Sequence, residues 1–246
     1  MTNREKYILS IYEELSDMGK HENVKLVKNT VNDGIYIKKT LKNYNIEIYK
    51  ILKNRQIKGI PKVYEIIEDE KELIIIEEYI HGLTLDKKYN KTDVETVKKI
   101  MEQLCNILKQ LHNMNPPIIH RDIKPTNIIV SNDDVVYLVD FNISREYDEN
   151  QSVDTVIMGT QGYASPEQCG FAQTDCRSDI YSIGMLMKNI LMVDEYPDKE
   201  TKSLKRIIDK CTSIDPEKRY KNIEKLEQAL NNKLGERISF QCNETD

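Results

Sequence analysis

An α+β fold of two unequal lobes is predicted, a small β-rich lobe followed by a larger α-helical one. Three observations predict it. Short β-like runs and hairpin turns are confined to the first third of the 246 residues. Apolar residues at three- and four-residue spacing dominate the remaining two thirds. No repeat or low-complexity linker divides the chain. Residues 24–27 and 34–39 are β-like runs around Asn32-Asp33-Gly34, an Asp-Gly hairpin signal. Ile46, Tyr49 and Leu52 open a helical stretch, and residues 63–67 and 73–77 form a second hairpin around a charged turn. Val94, Val97, Ile100, Met101, Leu104, Leu108 and Leu111 mark a long amphipathic helix. Residues 180–193 are apolar all round, as in a buried helix. Residues 204–212 and 223–234 are helices with charged opposite faces. The first eleven residues are ambiguous, because Ile8, Ile11, Tyr12 and Leu15 also have helical spacing. One domain over 1–246 is expected, with a small lobe at 12–79, a large lobe at 80–234 and a tail at 235–246.

Bulk properties narrow the function. A hydrophobic fraction of 39% can build a core. A net charge of −5 and a pI near 5.6 argue against a nucleic-acid partner, which calls for a basic surface. Five cysteines, an odd number, form no Cys-x-x-Cys pair. A disulfide framework or zinc site is therefore not expected, and a reducing, cytoplasmic setting is. No signal peptide is read at the start, and apolar runs such as 73–76 are too short to span a bilayer.

The chemistry sits in His120-Arg121-Asp122-Ile123-Lys124-Pro125-Thr126-Asn127 and, thirteen residues later, Asp140-Phe141-Asn142. In order these supply a carboxylate, a lysine, a carboxamide and a second carboxylate. Phosphoryl transfer from a magnesium nucleotide needs such a set: a base to orient the hydroxyl, a cation for the transferred charge, and hard oxygen ligands for the metal. The two segments resemble the catalytic loop and metal-binding turn of eukaryotic-like serine/threonine protein kinases, and the two-lobe order resembles that fold. The resemblance covers about residues 12–234 and expects a strand to begin near Tyr12. It implies Asp122 as base, Lys124 beside the transferred phosphoryl, and Asn127 and Asp140 as ligands of Mg²⁺ or Mn²⁺, with ATP as co-substrate.

The same resemblance extends to other positions. Gly159-Thr160-Gln161-Gly162-Tyr163-Ala164-Ser165-Pro166-Glu167 is similar to the end of an activation segment, implying a buried ion pair between Glu167 and Arg219. Asp179-Ile180-Tyr181-Ser182-Ile183-Gly184 is similar to the start of the central buried helix, whose aspartate braces the catalytic loop. Ile35-Tyr36-Ile37-Lys38 implies Lys38 as the phosphate-binding lysine, with Lys39 the competing choice. Glu47 is its implied helix partner, Leu15 and Val24 part of the adenine ceiling, and Glu78 and Ile80 the hinge that reads the adenine edge. Ser152 and Thr155, then Thr160, are the implied self-phosphorylation sites. Residues 140–145 and 166–175 resemble a compact bacterial, Firmicutes-like branch. Protein substrates are expected, and their identity is not legible.

Four departures stand out. The phosphate loop, residues 15–24, has one glycine, so backbone amides cannot all approach phosphate closely. Asn142 replaces a glycine and is expected to use left-handed backbone angles. Glu77 falls behind the adenine site, where a buried carboxylate needs a partner or a proton. Only residues 194–203 separate two late helices, too few for the family's extra docking helix. A pseudokinase scaffold and a small-molecule phosphotransferase are the rival readings. The near-absent glycines favour the first, and the full activation segment opposes the second.

Overall fold

In a computed structural model, residues 1–18, 23–69, 72–89, 91–148, 159–170, 173–191 and 199–234 are described. The chain opens with helix α1 (Asn3–Ser10), capped by Thr2, whose hydroxyl accepts from the Glu5 amide while Glu5 reaches back. Strand β1 (Tyr12–Asp17) comes directly after it, so the ambiguous first eleven residues hold a helix and the strand begins at Tyr12. Then come β2 (Val24–Asn29), β3 (Ile35–Leu41), α2 (Ile46–Asn54), β4 (Val63–Asp69) and β5 (Glu72–Glu78). The five strands form one antiparallel sheet in the order β1-β2-β3-β5-β4. The turn between β2 and β3 forms as its residues dictate. Asp33 takes φ 58°, and Asn32 Oδ1 accepts from the Gly34 amide at 2.8 Å.

The rest is largely helical. After β6 (Gly82–Thr84) and α3 (Leu85–Lys88) runs α4 (Val94–His112), capped by Asp93. Short strands β7 (Ile118–Ile119), β8 (Ile128–Ser131), β9 (Val136–Leu138) and β10 (Arg145–Glu146) carry the segments between. Helices α5 (Cys176–Ile190), α6 (Lys199–Cys211) and α7 (Ile223–Leu234) complete a bilobal fold, β-rich then α-helical. The α4 residues with three–four spacing, from Val97 to Leu111, are buried against α7 and β9. Helices α5 and α6 pack closely: a Cβ on Gly184 would lie 2.6 Å from Cys211 Cβ, so only glycine lets the helices approach this far. Helix α6 starts five residues before the expected Leu204, and residues 192–198 lie outside the described residues. No described helix is long and apolar enough to cross a membrane.

Two buried polar arrangements meet at the first turn of α5 in the large lobe. The first centres on Asp179 in the first turn of α5, fully buried. Its Oδ2 accepts from the His120 amide and its Oδ1 from the Arg121 amide, each at 2.9 Å. Oδ2 also lies 2.8 Å from Nε2 of His112, at the end of α4. Burial by itself pushes the His112 imidazole down, but the Asp179 hydrogen bond and charge, with Cys176 nearby, outweigh it and lift the pKa to about 10. Burial likewise opposes ionisation of Asp179, yet His112 and the backbone donors hold its pKa below the usual carboxylate value. The second arrangement is a two-pronged pair: Arg219 Nη1 and Nη2 donate to Glu167 Oε1 and Oε2 at 2.6 and 2.9 Å. Ser178 Oγ donates to the same carboxylate at 2.8 Å, and Arg219 also caps the Ser213 and Arg177 carbonyls.

These contacts have two measurable consequences. His112 binds its proton more tightly folded than unfolded, where the value is 6.5. Its stabilisation is therefore full below about pH 6.5 and is lost as pH rises towards 10, by at most about 1.4 kcal/mol per pH unit. Urea unfolding between pH 6.5 and 9.5 should show this slope, and His112→Gln should flatten it. Arg219→Met leaves Glu167 buried without its cation and should cost about 3–5 kcal/mol in the same assay. Adding Glu167→Gln should return part of that loss.

Candidate active site

The site is built by sheet pleating, helix ends and one tight loop. Along β3, Ile37, Lys39 and Leu41 are buried, while Tyr36, Lys38 and Thr40 lie on the other face. The strand therefore presents Lys39, not Lys38, to the interior. Lys38 Nζ is on the outer side, 2.8 Å from Glu14 Oε1, in an exposed cluster with Lys25. Adjacent strand residues cannot share a face, so with Lys39 inward Lys38 faces out. Apolar parity at 37 and 41 is the signal that picks Lys39.

The carboxylate partner also differs from expectation. Glu47 is exposed on α2 and pairs with Lys50 at 2.8 Å. Lys39 Nζ instead lies 2.6 Å from Glu77 Oε1, both side chains 9% exposed. The register explains the contact: Ile37 faces Glu77 and Lys39 faces Ile75 across β3 and β5, making Lys39 and Glu77 diagonal neighbours on one face. Glu77 thus has the partner that its burial demands. Burial alone would push the Lys39 ammonium down, but the negative charges of Glu77 and Asp140 raise its pKa above the ordinary value.

Helix α2 reaches the cleft through a different residue. Tyr49, 1% exposed, donates its hydroxyl to Asn142 Oδ1 at 2.7 Å. Burial, with Glu77 and Asp140 nearby, pushes its phenol well above the usual range. Asn142 has no left-handed backbone, contrary to expectation. Asp140 does, with φ 68°, a conformation that costs a non-glycine residue on the order of 1–2 kcal/mol. Asn142 therefore contributes its side chain, and the expected reason for the substitution falls away.

The loop over residues 120–127 is tight. Its 3₁₀ turn, Pro125–Asn127, has proline at the first turn, where no amide donor is needed. Asn127 Nδ2 donates to the Asp122 carbonyl at 3.0 Å and to its Oδ2 at 2.8 Å. Lys124 Nζ is 2.7 Å from Asp122 Oδ2 and 2.8 Å from Thr160 Oγ1. Thr160 in turn donates to Asp122 Oδ1 at 2.7 Å. Thr160 thus rests on Asp122 and Lys124 together. Burial keeps His120 neutral, its pKa lowered. Its Nδ1 accepts from the Asp122 amide at 3.3 Å, so Nε2 carries the proton towards the Val139 carbonyl at 3.2 Å. The His120 and Phe141 rings meet edge-on, centroids 4.7 Å apart. Gln168 donates to the Arg121 carbonyl at 2.7 Å and joins the segment's end to the loop.

The donor set suits a hard cation. With the Asn127 amide nitrogen engaged by Asp122, its oxygen is the atom left to offer, and Asp140 adds a carboxylate. Among the described residues no group of three or more His, Cys, Asp or Glu side chains could hold a metal. Oxygen ligands this few suit a cation that also binds substrate phosphates and keeps waters. At the other end, Leu15 is 48% exposed beside a bulge in β1, and Val24 is half-buried. The Glu78 amide is already used by the Lys62 carbonyl at 2.8 Å, and Ile80 is buried. Ser152 and Thr155 lie outside the described residues, as do residues 19–22 of the phosphate loop. Reading the sequence missed Tyr49, His112 and Gln168, whose partners lie 93, 67 and 47 residues away.

The protein kinase domain model matches residues 16–236. A probable serine/threonine-protein kinase of Clostridium acetobutylicum is 30% identical over 200 residues, 71% of this chain and 30% of that protein. Serine/threonine-protein kinase D of Synechocystis is 30% identical over 195 residues, 70% of this chain and 38% of that protein. Myosin light chain kinase 2 of Rattus norvegicus is 29% identical over 172 residues, 66% and 27% of the two chains. The chain spans about a third of the length of these relatives. With relatives in bacteria and eukaryotes, and a family model over nearly its whole length, the chain belongs to the protein kinase domain family.

Proposed function

We propose that this chain is a serine/threonine protein kinase domain that transfers the γ-phosphate of ATP to protein hydroxyls with Mg²⁺ or Mn²⁺. The observation that carries this reading is the joint contact of Asp122 with Asn127, Lys124 and Thr160, which brings base, cation and metal ligand together. Asp122 orients the acceptor hydroxyl and takes its proton. Lys124 offsets charge on the transferred group. Asn127 and Asp140 hold the cation, which when bound neutralises phosphate charge. Lys39, steadied by Glu77, takes the place proposed from sequence for Lys38 on the nucleotide phosphates. Leu15, Val24, Glu78 and Ile80 enclose the adenine. Asp179, Glu167 and Arg219 act only by support.

The relative from Clostridium supports a compact, Firmicutes-like bacterial origin. A cytoplasmic site fits the cysteine usage. Self-phosphorylation at Ser152 or Thr155 is part of the reading. Thr160 is a poorer acceptor, since its hydroxyl already bridges Asp122 and Lys124. The single glycine of the phosphate loop favours a second reading, a pseudokinase that binds nucleotide without transfer.

Two measurements test the proposal. Asp122→Asn should keep the fold and ATP binding yet lower phosphotransfer to a generic protein substrate by about 10²–10⁴-fold. Absence of transfer in the native chain, with ATP bound, selects the pseudokinase. Lys39→Met should weaken ATP binding in calorimetry by about 10–100-fold, the worth of a charge-assisted hydrogen bond. Lys38→Met should stay within about twofold, as expected for an exposed pair. The reverse order would restore Lys38.

A further inference from the structure

Helix α2 and the metal-binding turn meet through Tyr49 Oη and Asn142 Oδ1, 2.7 Å apart across 93 residues of sequence. Three observations give that contact a use. Asp140 sits in a left-handed conformation that its neighbours must maintain. Phe141, 3% exposed against His120, anchors the middle of the turn. Asn142, the third residue, has an ordinary backbone, so its side chain is what the position supplies. Lys39 meanwhile is paired from the sheet by Glu77, not from α2 by Glu47.

We infer that Tyr49 is a positioning residue for the metal turn. It holds Asn142, and through it Asp140, in the arrangement that receives the cation. Helix α2 in this chain thus governs the metal, while Lys39 keeps its partner wherever α2 stands. A displacement of α2 breaks the Tyr49–Asn142 bond without unpairing the lysine. The consequence is a split: nucleotide affinity without metal is set by the sheet, and the gain on adding metal depends on the helix. This inference rests on the phosphotransfer reading for its metal step, and on the hydrogen bond alone for its structural step.

Tyr49→Phe is the cleanest variant, since it removes one oxygen and keeps the buried ring. ADP binding is measured by calorimetry with and without Mg²⁺, for the native chain, Tyr49→Phe, Asn142→Ala and the double variant. The expected result is unchanged metal-free affinity and a magnesium gain reduced about fivefold in each single variant, the worth of one neutral hydrogen bond. The double variant should be no worse than the weaker single one, because both remove the same contact. Hydrogen exchange of residues 139–144 without any ligand should be faster in Tyr49→Phe than in the native chain. An undiminished magnesium gain, or additive losses, would overturn the inference, and unchanged exchange would overturn its structural step. A native chain that gains nothing from Mg²⁺ would overturn the metal reading and the metal step with it. The exchange measurement would still decide the structural step.

Discussion

Taking a carboxylate out of water costs several kcal/mol unless its oxygens find donors, and Asp179 is buried completely. It recovers that cost from the His120 amide, the Arg121 amide and the His112 ring. Those donors come from two places, the catalytic loop and the end of α4, so one side chain at the start of α5 ties three segments together. Arg121 has a left-handed φ of 69°, which a residue with a Cβ resists, and the Asp179 bond to its amide is part of what holds it there. Asp122 is the next residue, so its placement is inherited from a buried residue with no part in the chemistry. The Glu167–Arg219 pair does the corresponding work for the activation segment. Its helper Ser178 is the neighbour of Asp179, so the two braces share the first turn of α5.

The cleft itself is a balance of buried charge. Lys39 stands against Glu77 with Asp140 near enough to raise its pKa, and Tyr49 stays neutral beside both carboxylates. A neutral phenol is the donor that this position needs: it bonds the side-chain Oδ1 of Asn142 without adding another charge to the site. Supplying the lysine's partner from β5 also alters what α2 is for. A carboxylate on a neighbouring strand is held by the sheet register, whereas one on a helix moves with the helix. Glu47, free of that duty, points to solvent and pairs locally with Lys50.

Periodicity and turn chemistry were enough to read the lobes, the first hairpin and helices α4, α5 and α7, because each is written in neighbouring residues. Asp122, Lys124, Asn127 and Asp140 lie within nineteen residues of one another, and their roles were read from a resemblance carried by that short stretch. The inward face of Lys39 was legible as well, in the parity of Ile37 and Leu41, but the resemblance to a strand pattern placed Lys38 there. Since a strand has period two, that single step moves a side chain to the opposite face.

Other features belonged to the tertiary structure alone. Nothing near Glu77 announces a lysine, since the pair exists only when β3 and β5 align diagonally. Nothing near Asn142 announces Tyr49, because the bond closes only when α2 packs over the turn. The left-handed residue proved to be Asp140 and not Asn142, since backbone strain settles where the surrounding contacts can hold it. The sequence by itself determined which chemical groups the chain carries and which local elements present them. The tertiary structure decided which of those groups meet, because a buried charge takes whichever partner the fold brings within hydrogen-bond reach.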